Sequence, residues 1–171
     1  MKLRINLRGD AAYLLPRWRY ISDKEKSGLY ERAQDALHLH YGELRIGDFF
    51  DCIRCDFSVI GVCSTWNNAT QAQYIWAMGF ADYMENLSKM LERMTLRGTA
   101  EQQQAQMVCL RVGFEESVLV FLQDFFGLHS FKEAEDITVN EYLIAKKSAY
   151  NKAAFERKLN DIYKLKQKTK K

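Results

Sequence analysis

The chain opens on strict alternation, with Leu3, Ile5 and Leu7 on one side and Lys2, Arg4, Asn6 and Arg8 on the other. A period of two predicts a strand. Gly9-Asp10 reads as a turn and Arg17-Trp18-Arg19-Tyr20 alternates again, so residues 1–21 predict a short N-terminal β strand or hairpin. Two strands alone are marginal in water and must lean on helices or on another chain. From Asp23 the period changes: Leu29, Ala33, Ala36, Leu37 and His40 recur at helical spacing as far as Tyr41, and Gly42 offers a stop. A shorter helix is expected behind Asp48 as N-cap, carrying Phe49, Phe50, Cys52 and Ile53. The stretch from Cys55 to Trp66, CDFSVIGVCSTW, fits a strand or a loop equally well.

The clearest pattern begins after Asn67 and Asn68. Trp76, Phe80, Tyr83, Leu87, Met90 and Met94, with Met84 and Leu91 beside them, make one apolar stripe on a helix from Gln71 to Leu96. Asn86, Lys89, Glu92 and Arg93 lie on the other side. Gly98 ends that helix, and Thr99 with Gln102 forms a capping-box pattern that begins the next, from Ala100 to Phe126. A connector that short makes the two helices antiparallel neighbours, giving a long central hairpin over residues 71–126. The second arm carries Met107, Phe114, Val118, Phe121 and Phe125, plus a further row of Val108, Val112, Leu119 and Phe126. Apolar on so much of its circumference, it is expected to be the central helix.

Gly127 is placed to stop that arm, and the pairs Ser130/Glu133 and Thr138/Glu141 announce a short acidic turn and a last helix over residues 139–168. The last helix changes face. Val139, Tyr142, Leu143, Ala149, Tyr150 and Ala153 share one side, whereas Phe155, Leu159, Ile162 and Tyr163 lie nearly opposite. Either the helix bends near Ala153, or its second half touches something the first half does not, such as another subunit. The whole predicts one mainly α domain, residues 1–171: a helical bundle around the long antiparallel hairpin.

Composition supports a folded domain, with 47% apolar and 27% charged residues and a single proline, Pro16. No stretch reaches the roughly 18–20 apolar residues that cross a bilayer, and the start has no signal-peptide core, so the expectation is a cytoplasmic protein with no membrane partner. Cys52, Cys55, Cys63 and Cys109 are then expected as free thiols. Charge is uneven: the net +3 divides into +7 from Glu141 onward and −4 before it.

Candidate chemistry is sparse. Cys52 and Cys55 form CIRC, which on a helix would put both sulfurs on one face and supply half of a tetrahedral zinc site. The second pair is lacking, because His38 and His40 point apart on a helix and no other C-x-x-C occurs. With His129 the only other histidine and no nucleophile elbow, phosphate loop or dinucleotide fingerprint, no catalytic, cofactor or metal set is predicted. The adjacent Glu115 and Glu116 read as a solvated face.

The remaining candidates are surfaces. Phe155, Leu159, Ile162 and Tyr163, with Trp18 and Tyr20 second, suit a protein interface that joins an oligomer or larger assembly. Arg4, Arg8, Arg17, Arg19, Lys164, Lys166 and Lys168 suit phosphate contact, the alternative reading being a nucleic-acid-binding protein. Lysine positions a backbone without reading sequence, and no stacking aromatic falls within the last eight residues.

The segment FFGLHSFKEAEDITVNEYLIAKKSAYNKAAFERKLNDIY, about a quarter of the chain, resembles the C-terminal part of small phage tail-assembly-chaperone-like proteins. There a short acidic turn leads into a Thr-x-x-Glu-Tyr helix start and a long charged helix. Phe131, Glu133, Ala134, Glu135, Ile137, Thr138, Glu141, Tyr142 and Leu143 carry the likeness. The resemblance implies a phage or prophage protein, in host cytoplasm or virion, that works by contact in virion assembly and has no catalytic residues.

Overall fold

The computed structural model describes residues 20–62, 66–94 and 113–168. The expected N-terminal strand, the turn at Gly98-Thr99 and residues 100–112 of the hairpin lie outside them, apart from Tyr20 and Ile21. The described chain is mainly helical, and no strand forms among the described residues.

Ser22 opens helix α1 (Asp23–Leu37) with a complete capping box: its hydroxyl accepts from Glu25 N–H at 3.3 Å while its own N–H donates to the Glu25 carboxylate at 2.9 Å. The helix stops short of the expected Gly42. His38 takes a left-handed conformation (φ 50°) instead, and Leu39 N–H closes back to the Gln34 carbonyl at 3.0 Å. The early break frees the Leu39 carbonyl to accept from Trp76 Nε1 at 2.8 Å and lets Tyr41 turn inward. Gly42 serves another purpose. It lies in a 3₁₀ turn (Tyr41–Glu43) where the Asn140 side chain fills the space a Cβ would need.

Helix α2 (Ile46–Ile53) begins two residues before the expected Asp48 cap, and its N-cap, Arg45, makes no side-chain cap bond. Backbone pairing takes the cap's place. Ile46 N–H donates to the Ile137 carbonyl at 2.8 Å and Val139 N–H to the Leu44 carbonyl at 2.9 Å, an isolated antiparallel bridge between Arg45 and Thr138. The ambiguous stretch that follows is neither strand nor plain loop at its centre. Asp56 accepts from Ser58 N–H at 3.0 Å, a 3₁₀ turn (Ser58–Ile60) follows, and Gly61 (φ 76°) ends it.

Thr70 and Gln73 form the capping box of helix α3 (Gln71–Arg93). Its first half is apolar on nearly every side: Tyr74, Ile75, Trp76, Ala77 and Phe80 are all buried, with Trp76 stacked on Phe80 at 5.7 Å. The expected stripe is thus fully buried only as far as Leu87; Leu91 still packs half-buried against the core, and Met90 is exposed. Helix α3 packs chiefly along α1 among the described residues, and the arm expected to be the central helix lies partly outside them. The expected helix from Ala100 to Phe126 does not run unbroken: Gly113 is extended (φ −62°, ψ 159°) and caps helix α4 (Phe114–Phe126), which buries Val118, Leu119 and Leu122 while the expected stripe residues Phe114 and Phe125 and the second-row Phe126 stay exposed. Gly127 (φ 67°) ends α4 as expected, and Ser130 caps the short α5 (Phe131–Glu135). Helix α6 (Val139–Lys168) runs unbroken to the end of the described chain.

Candidate interaction surface

Helix α6 is fixed at one end. Thr138 accepts from Glu141 N–H at 3.3 Å and donates its own N–H to the Glu141 carboxylate at 2.8 Å, which holds that carboxyl below its usual range. The first turns then lay Val139, Tyr142 and Ala145 into the core, and Tyr142 meets Phe121 edge-on at 5.9 Å. Arg45 and Asp136 pair across the same junction at 3.0 Å. Lys146 ends this anchored stretch with its Nζ 4.3 Å from the centre of the Phe121 ring, where burial lowers its pKa.

No described residue beyond Ala145 is buried, although at 1.5 Å per residue the helix continues for about 35 Å. Phe155 is 66% exposed, Tyr163 53% and Ile162 43%, and Leu159 is half-buried. These are the interface residues expected from the face switch; Phe155, Leu159 and Ile162 line the side of α6 turned away from its anchor, whereas Tyr163 falls about five full turns beyond Ala145, on the anchor's side. Tyr20 is exposed, and Trp18 lies outside the described residues.

Ile144, 70% exposed, belongs with them and escaped the sequence reading. It stands eleven positions before Phe155, so at 100° per residue Ile144, Phe155, Leu159 and Ile162 fall within about 60° of arc. The signal lies in the spacing, but Ile144 sits in the first half of the helix, ahead of the point where the apolar residues change face. Phe125, Phe126 and Phe131 add exposed aromatic surface at the α4–α5 corner.

The basic candidates are placed less selectively. Lys164 and Lys166 are exposed, Lys168 closes the helix, and Arg4, Arg8, Arg17 and Arg19 lie outside the described residues. At helical spacing Lys147, Lys152, Arg157, Lys158, Lys164 and Lys166 distribute around the whole circumference of α6 and form no single phosphate-facing stripe.

The CIRC motif does not present two sulfurs on one face. Cys52 is fully buried in α2, with burial, then Asp48, Asp51 and Asp56, pushing its thiol up to about 12, whereas Cys55 lies past the helix end, exposed, at φ 70°. Cys63 and Cys109 lie outside the described residues. Among the described residues no three His, Cys, Asp or Glu side chains converge as metal ligands.

Two grooves flank the Asp82–Glu85 turn of α3. One, about 470 Å³, lies toward α1 and is polar, with the Tyr30 hydroxyl donating to Asp82 at 2.5 Å. Burial first and Asp82 second raise the Tyr30 pKa. The other, about 530 Å³, is more apolar and is walled by Ile53, Phe80, Ala81 and Met84. Among the described residues no helix is long and apolar enough to cross a membrane. Comparison with protein-family models, with curated proteins and with solved structures finds no match to this chain.

Proposed function

We propose that this protein is a non-enzymatic interaction component that joins a protein assembly through helix α6, of the kind that the resemblance to phage tail-assembly-chaperone-like proteins implies. The observation that carries the reading is the division of α6. Its first turns are built into the core, while Phe155, Ile162 and Tyr163 stand exposed on a helix that continues well past the last buried residue. Exposing large apolar side chains in a row costs solubility and serves docking. Aromatic side chains so placed are the usual anchors of helix-in-groove recognition.

Affinity capture with the full chain, followed by reconstitution with the purified captured protein, tests this reading. The double variant Phe155→Asp/Ile162→Asp is expected to lose the reconstituted complex while keeping the wild-type circular dichroism spectrum and melting point. Undiminished binding by that variant would overturn the reading. Nucleic-acid binding through the basic residues of α6 is the second reading, favoured by the exposure of Lys164 and Lys166. It requires DNA or RNA binding that weakens steeply with salt and disappears when residues 164–171 are removed.

A further inference from the structure

Resting on the interaction reading, we propose that the partner of α6 is a second copy of this chain, whose α6 seats Phe155, Leu159 and Ile162 in the apolar groove between α2 and α3. Copies then join head to tail.

The groove offers complementary chemistry. Ile53, Phe80, Ala81 and Met84 supply an apolar floor and walls, and Asp82 and Glu85 stand at its edge. On α6 the stripe of Phe155, Leu159 and Ile162 is flanked at about 60° on either side by Lys152 and Lys158. An apolar row between two cations therefore faces an apolar trough with an acidic lip. Asp82 accepts from Tyr30 and Glu85 from Lys89, yet a carboxylate has lone pairs to spare, and an exposed i,i+4 pair is weak enough to exchange.

Charge also decides against the simpler symmetric alternative. Two α6 helices lying side by side would bring together two segments that each carry +7 from Glu141 onward, whereas the rest of each chain carries −4. Like charges oppose the first arrangement and opposite charges favour the second.

The contact must form between copies. Helix α6 contains neither glycine nor proline from Val139 to Lys168, and its first turns are fixed by the Arg45–Thr138 bridge, so it has no hinge with which to fold back. A heterologous contact of this type leaves one groove and one helix open at the ends, so growth continues past the dimer.

Analytical ultracentrifugation of the full chain tests the proposal. Wild type is expected to show a weight-average mass that climbs with concentration beyond twice the 20.0 kDa chain and falls as salt is raised. A groove-blocked variant, Glu85→Lys/Ser88→Trp, changes only exposed positions, and a helix-blocked variant carries Phe155→Asp/Ile162→Asp. Each alone is expected to stay monomeric. Mixed in equal amounts they retain one intact groove and one intact helix between them, and a complex of two chains that grows no further is expected.

A wild type that is monomeric at every concentration and salt would overturn the proposal. So would a groove-blocked variant that still assembles, because that outcome assigns the contact to paired α6 helices. Absence of a complex in the mixture, with both variants melting as wild type does, would overturn it as well. The charge swap Lys158→Glu with Glu85→Lys supplies an independent check: each is expected to weaken assembly, and mixing the two to restore it in part. If self-association fails while the helix-blocked variant still loses a captured foreign protein, this proposal falls and the interaction reading stands.

Discussion

Gly79 lies inside α3, where an alanine would ordinarily stabilise the helix by about 1 kcal/mol. The surroundings reverse that expectation. A Cβ at Gly79 would collide with the Tyr41 hydroxyl and would stand 2.6 and 2.7 Å from two carbons of the Tyr30 ring. Neither partner can swing away freely. Tyr41 is pinned by its hydrogen bond to the Trp76 carbonyl at 2.9 Å and by edge contact with the Trp76 ring at 4.9 Å, and Tyr30 is tied to Asp82. Gly79→Ala must therefore push α1 off α3. Overpacking of this kind costs about 1–3 kcal/mol, and with two held rings the upper end applies, leaving a net loss of about 2 kcal/mol after the helix gain. For a chain of this size that lowers Tm by about 4–8 °C. Gly28→Ala in α1 is the control, since among the described residues nothing lies within 4 Å of its Cβ position. That substitution is expected to raise Tm by about 2–4 °C. Thermal melts followed by far-UV circular dichroism read both variants. If Gly79→Ala melts at or above wild type, the close approach of α1 to α3 is refuted.

Thr138→Ala removes the cap of α6 and is expected to cost about 1 kcal/mol in urea unfolding, with the Glu141 pKa rising toward its ordinary value by NMR titration. Because capping depresses that carboxyl, its contribution is present above the ordinary carboxylate range and is lost on acidification, so the variant and wild type should converge in stability at low pH. The Cys52 thiol behaves in the opposite sense: raised in the folded state, it supports folding below about pH 9 and loses that support as pH climbs toward 12. Stability between about pH 8.5 and 10 should accordingly fall less steeply in Cys52→Ala than in wild type. Peptide mapping after brief alkylation of the native protein at neutral pH should find Cys55 modified and Cys52 intact, and equal labelling would contradict the burial of Cys52.

Local signals were legible in the sequence wherever they act through neighbours in the chain. The Thr138/Glu141 and Ser130/Glu133 caps, the Gly127 stop and the α3 start all depend on residues a few positions apart, and they fall where the pattern put them. The misplaced ends of α1 and α2 have a different origin. His38 ends α1 because Leu39 and Tyr41 are wanted by Trp76, and Arg45 begins α2 because Ile137 supplies the missing acceptor. Both partners are distant in sequence, and no local rule reports them. Periodicity likewise marked the apolar residues of α3 and α4 without saying which neighbours would cover them, which is why Met90 and Phe125 were expected inside. The face switch of α6 was readable, because two apolar groups half a turn apart cannot share one surface. Which surface receives the second group is a property of the assembled molecule.

The bridge between Arg45 and Thr138 bears on the order in which the molecule is made. It closes a loop spanning most of the domain, and such a contact forms only after the entropy of bringing distant segments together has been offset elsewhere. During synthesis Leu44 and Ile46 leave the ribosome long before Ile137 and Val139, so the α2 entrance waits with its backbone groups unmatched until the start of α6 has emerged. Helix α6 is therefore two things in succession, first the piece that completes the core and then the arm that leaves it. A truncation ahead of Ile137 removes the fold together with the arm. One placed after about residue 150 keeps Val139, Tyr142 and Ala145 in position and takes away the exposed Phe155, Ile162 and Tyr163, so the fold can be tested apart from the assembly proposed for α6.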